Sequence, residues 1–147
     1  FESLNLDSKI VQINDSFNVN KFTLRGIHYQ IPPMEETKIV RCMQGSVWDL
    51  IIDLRPNSDT FGEWHGEELS ANNRKSIYIP KGFGHGFMTL EANTEIIYFH
   101  SEYYSSKDER IIRWDDPFFK INWPHSPSKL SLRDKEASDF NKENYIK

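Results

Sequence analysis

A chain of 147 residues, 37% of them hydrophobic and 14% aromatic, is the size of one domain and can build its own core. Its formal charge of −4 leaves no basic stripe for a phosphate backbone, which argues against nucleic acid as a partner. The single cysteine, Cys42, forbids an intrachain disulfide and predicts a reducing, cytoplasmic setting, while no apolar run nears the ~20 residues needed to span a bilayer and no signal-peptide pattern is present.

In chain order, Ile10–Val11–Gln12–Ile13 is predicted as a short strand and residues 22–31 as a second, closed by Pro32–Pro33. Residues 38–43 and 46–54 are the clearest pair, with Gln44–Gly45 between them as a hairpin turn. In the latter, Trp48, Leu50, Ile52 and Leu54 share an apolar face and Val47, Asp49, Ile51 and Asp53 the opposite one. A turn-rich stretch, Arg55 to Gly66, precedes short strands at Ser76–Ile79, Gly86–Leu90 and Glu95–His100. The only helix candidate is the polar tail, Ser131 to Tyr145, which suits a surface helix. Many short strands at this spacing predict a single all-β domain over residues 1–147, a sandwich or barrel.

Pro80-Lys81-Gly82-Phe83-Gly84-His85 is similar to the P-x-G-x-x-H element of the cupin barrel, where a tight turn delivers an inward-pointing His. A metal cupin would add H-x-H upstream, and there the chain reads His28-Tyr29-Gln30. Gln30 replaces the second ligand, so His28 and His85 have no convincing third partner for a metal. A metal-dependent cupin held by those two residues is the competing enzymatic reading. A lone His is more often packed or exposed than catalytic. Arg25, Lys38 and Asp49 change those odds, because charges gathered inside an aromatic barrel are costly unless paired and used.

Leu24-Arg25-Gly26-Ile27-His28-Tyr29-Gln30 resembles the signature of the dTDP-4-dehydrorhamnose 3,5-epimerase family. Collinear matches follow at Pro32-Pro33, Lys38 to Arg41, Gln44 to Asp49, Asp53-Leu54-Arg55 with Ser58 and Thr60-Phe61-Gly62, Ile79 to Phe87, Tyr103-Tyr104, Ile112 to Pro117, Ile121 to Pro124, and Leu130 to Asp134. They run from about residue 12 to residue 134. The resemblance implies a cupin-type jelly-roll (double-stranded β-helix) barrel with a short helical tail. It also implies an isomerase of rhamnose precursor synthesis that needs no metal or organic cofactor, and a homodimer.

In that family a 4-keto group acidifies the sugar's C3 and C5 protons. The resemblance makes His28 the base, Asp134 the carboxylate that orients it, Lys38 the cation beside the enolate oxygen, Tyr98 the acid on the opposite face, and Asp49 an acidic pocket residue near Lys38 and His28. It gives Arg25 and His85 to the pyrophosphate, Gln12, Asn14 and Ser16 to the same end of the site, Gln30 to the substrate, and Tyr104 to the nucleotide base. As residues alone, Asp49 could be a sheet-surface carboxylate, Tyr98 core packing, Tyr104 a loop aromatic and Asp134 a solvated helix residue; Trp114 and Trp123 read as structural. The family's N-terminal arm, Asp-x-Arg-Gly followed by Phe and Glu, is matched only at Phe1-Glu2, and Met34-Glu35-Glu36 is unusually acidic for the sugar pocket. A 3-only or 5-only epimerase and a non-catalytic sugar-nucleotide binder are the remaining alternatives.

Overall fold

The computed structural model describes residues 2–4 and 6–142. Among them, two antiparallel sheets face each other. The first runs β1 (Gln12–Asn18), β8 (Thr94–His100), β3 (Lys38–Gln44), β6 (Ser76–Ile79). The second runs β5 (Trp64–Ser70), β4 (Ser46–Asp53), β7 (Phe83–Thr89), β2 (Leu24–Gln30), β9 (Glu109–Ile111). This is the jelly-roll architecture of a cupin-type barrel, the all-β class expected.

The turn at Gln44–Gly45 is not a hairpin. β3 pairs with β6 and β8, whereas β4 pairs with β5 and β7, so the turn carries the chain from one sheet to the other. Gly45 sits at φ 72, where a Cβ would lie 2.5 Å from the Thr94 hydroxyl oxygen, so no other residue fits this crossing.

Both faces of β4 are buried, which the alternation alone did not reveal. Its inward Val47 joins Val40, Cys42, Leu69, Ile79, Phe87 and Ile96 in a core between the sheets. Leu50 and Ile52, with Leu54 just beyond the strand, form a second core with Ile27, Tyr29, Ile112 and Phe119 on the outer side of the five-stranded sheet. Trp48, Trp64, Trp123 and Phe140 roof that outer core. Trp123 packs edge-on against Trp48 at 5.2 Å between ring centroids, and its indole N–H donates to the Trp114 carbonyl at 2.7 Å.

Several predicted boundaries shift. The first strand begins at Gln12 and extends to Asn18, because its pairing with β8 sets its length. The second narrows to Leu24–Gln30. The strand at Gly86–Leu90 begins earlier, at Phe83. Trp64–Ser70 and Glu109–Ile111 are strands that went unpredicted.

The predicted tail helix is only one turn, α1 (Leu132–Lys135), N-capped by the Ser131 hydroxyl, which accepts from the Asp134 N–H. Phe140 takes the chain elsewhere. Its N–H donates to Asp116 at 2.6 Å and its ring meets that of Phe119 at 4.9 Å; burial of that ring outweighs helix propensity in a polar segment. Phe1 and residues 143–147 lie outside the described residues.

Candidate active site

Alternation and register together assemble the site. In the four-stranded sheet His100 pairs with both Gln12 and Lys38, and Tyr98 with both Asn14 and Val40. Side chains two apart share a face, so Gln12, Asn14, Tyr98, His100 and Lys38 point the same way. From the opposite sheet, His28 on β2 pairs with His85 on β7. Gly26, at φ 109, lets these two strands approach: a Cβ there would lie 2.6 Å from Gly86 Cα. The two walls enclose a cavity of about 180 Å³ lined by His28, Lys38, Tyr98, His85, Arg25 and Tyr104, among others.

His28 is 30% exposed at its side chain and its Nε2 lies 2.6 Å from Asp134 Oδ1. Asp134 itself is 1% exposed and does not line the cavity. Burial pushes its carboxyl up, but hydrogen bonds from His28, Ser131 and the Gly26 N–H outweigh that and hold it below the ordinary carboxylate range. An ionised Asp134 only accepts, so the Nε2–H donates to it and Nδ1 carries the lone pair of the neutral ring. Glu109 Oε1 stands 3.8 Å from that Nδ1.

Tyr98, half-buried on the facing wall, is pushed well up from its usual value, first by burial and then by the Asp49 carboxylate. Its phenol is therefore protonated at neutral pH. Lys38 is buried, with Nζ 3.0 Å from Glu36 Oε1. Arg25 is exposed beside the cavity and makes no ion pair or hydrogen bond through its guanidinium among the described residues.

Asp49 stands behind the wall rather than on it. It is fully buried, and its Oδ2 lies 2.9 Å from His85 Nε2. Its observed side-chain partner is His85, and its charge also acts on Tyr98. Gln30 reaches the cavity, but its amide is spent on the chain: it donates to the Met34 and Tyr103 carbonyls and accepts from the Ser105 N–H at 2.6 Å. Gln12 accepts from the Tyr104 N–H and donates to Asn14. Ser16 lies on the adjoining surface with Asn14 and Arg25, where its hydroxyl accepts from Asn18. Among the described residues, no group of three or more His, Cys, Asp or Glu side chains is arranged to hold a metal ion.

The model of the dTDP-4-dehydrorhamnose 3,5-epimerase family matches residues 1–142. The chain belongs to that family. The dTDP-4-dehydrorhamnose 3,5-epimerase of Shigella flexneri is 40% identical over 139 residues, covering 95% of this chain and 76% of that protein. The solved dTDP-4-dehydrorhamnose 3,5-epimerase of Bacillus anthracis, with TDP and PPi bound, superposes with a TM-score of 0.91 at 39% identity, over 95% of this chain and 79% of that one. The dTDP-6-deoxy-D-glucose-3,5-epimerase of Legionella pneumophila, in complex with dTDP-4-keto-L-rhamnose, gives 0.85 at 39% identity, over 90% and 70%. Members of this epimerase family are isomerases.

Three residues that line this cavity escaped the sequence reading. Glu109 receives hydrogen bonds from the Tyr104 hydroxyl at 3.0 Å and from Arg133 at 2.7 Å. Glu36 sits between Lys38 and His100, 2.7 Å from the latter's Nδ1. The acidity of residues 34–36 was the only hint of this cluster. His100, 64 positions from Glu36, gave none. No helix among the described residues is long and apolar enough to cross a membrane.

Proposed function

We propose that this protein epimerises dTDP-4-dehydro-6-deoxyglucose at C3 and C5 to dTDP-4-dehydrorhamnose, as a cytoplasmic homodimer supplying rhamnose to cell-surface polysaccharide. The observation that carries the reading is the 2.6 Å His28–Asp134 pair opening on the same cavity as Lys38 and Tyr98. We assign the residues as follows, with the whole chain acting as one epimerase domain.

The ketone makes the neighbouring C–H acidic, and His28 Nδ1 takes that proton while Asp134 fixes the ring. The imidazolium so formed is flanked by Asp134 and, at 3.8 Å, by Glu109. Lys38 stabilises the enolate oxygen as charge develops on it. Tyr98 then delivers a proton to the other face of the carbon. Base and acid stand on opposite sheets, β2 and β8, which suits inversion. Arg25 and His85 hold the pyrophosphate, Gln12, Asn14 and Ser16 line the approach, and Tyr104 stacks on the base. No step calls on a metal or an organic cofactor.

The test is turnover of dTDP-4-dehydro-6-deoxyglucose in D2O followed by proton NMR. Deuterium is expected at both C3 and C5. Label at one carbon alone would make the protein a mono-epimerase, and no label in a folded protein would overturn the reading.

A further inference from the structure

A third imidazole, beside those of His28 and His85, lines the cavity, and the proposed mechanism does not use it. His100 stands two residues beyond Tyr98 on the same face of β8, and the two rings stack at 6.0 Å and 25°. It is 8% exposed and lines the cavity. Its Nδ1 is 2.7 Å from Glu36 Oε2, and the other oxygen of that carboxylate is 3.0 Å from Lys38 Nζ. Its Nε2, however, is buried with no hydrogen-bond partner among the described residues. A buried polar atom left unpaired is costly, and a ligand that pairs it recovers the cost.

The charges decide what that ligand must offer. Burial pushes the Glu36 carboxyl up, but the hydrogen bond from His100 and the ammonium of Lys38 outweigh it, so Glu36 is ionised and only accepts. His100 therefore donates through Nδ1–H. In the neutral ring Nε2 is an acceptor. Ketone and phosphate oxygens only accept as well; a sugar hydroxyl donates.

We infer that His100, held by Glu36 and opening buried on the cavity beside Tyr98, accepts a hydrogen bond from a ring hydroxyl of the bound sugar and so selects substrates that keep that hydroxyl. This rests on the nucleotide-sugar reading above. A site built to pair a hydroxyl discriminates against the analogue lacking it.

The experiment measures, by calorimetry, the Kd of dTDP-4-dehydro-6-deoxyglucose and of its 2-deoxy and 3-deoxy analogues, with wild-type deuterium exchange run alongside. Wild type is expected to favour the full substrate over one of the analogues by about 10-fold. In His100→Phe and His100→Leu that preference shrinks to below about 2-fold while the analogue's Kd stays put; His100→Gln, which keeps an acceptor in reach, retains it. Equal weakening of all three ligands, or an undiminished preference in whichever apolar variant folds, overturns the inference. Binding without deuterium exchange in wild type removes the epimerase reading and leaves the hydroxyl contact to be decided by the Kd values. Binding of none of the three removes both.

Discussion

On the inner face of the five-stranded sheet stand Arg25, His28 and His85; on its outer face, one position along the same strands, stand Ile27, Tyr29, Gly84 and Gly86. The inner side chains are polar and open on a cavity. Of the outer ones, Ile27 and Tyr29 join Leu50, Ile52, Ile112 and Phe119 in a buried apolar cluster. A strand's period of two puts chemistry and stability about 3.3 Å apart along the chain while keeping them on opposite sides of the backbone. Each face can then be altered with little cost to the other.

The largest effect is expected on the inner face. His28→Ala removes the proposed base and should lower kcat by about 1,000-fold, with a thermal midpoint near that of wild type because the side chain is part-exposed. A large drop in the midpoint would show that the inner face also carries stability. On the outer face, Leu50→Ala empties a fully buried position and should cost about 2–5 kcal/mol of stability. Turnover per folded molecule, measured below the melting range, should hold. Loss of activity without loss of stability would break the division.

The smallest effect is expected at the end of a strand, away from both the cavity and the outer core. Asp53, at the end of β4, accepts from the backbone and guanidinium of Arg55 and from the hydroxyls of Ser58 and Thr60, the last two at 2.6 Å. Burial pushes its carboxyl up, and these hydrogen bonds outweigh that to hold it far below its usual 3.8. The unfolded chain therefore binds the proton first. The knot stabilises fully above about pH 4 and is lost as pH falls toward the folded value. Asp53→Asn should cost about 1–3 kcal/mol at pH 7 and flatten the acid side of a melting-midpoint-against-pH curve. Asp134, also held low, keeps it from becoming level. An unchanged slope would mean that the knot does not control acid stability.

Legibility in the sequence followed the range of the interactions. Ser76–Ile79 was found to the residue because the strand runs straight into the turn residues Pro80 and Gly82. β5 was missed because Gly66, Glu67 and Glu68 are poor strand formers. It exists because β4 pairs with it, and because Gly66 leaves room for the Trp48 ring, which a Cβ would meet at 2.0 Å. The alternation in β4 was legible, yet not that a C-terminal layer would bury its outward face. In the site, quoted motifs held His28 and Lys38, whereas Tyr98 was assigned by the family resemblance alone. The partnership of Asp49 with His85 and of Glu36 with His100 depends on pairings between distant strands, which no local pattern encodes.

His28 and Asp134 are separated by 106 positions. A nascent chain that has emerged past Ile111 but not as far as residue 134 holds every strand described above. Its imidazole would still lack a fixed tautomer. In the proposed mechanism, catalytic competence therefore waits for α1 to bring Asp134 to His28. An assay of turnover during synthesis or after limited proteolysis thus works as a clock for that docking event, read from the far side of the sheet.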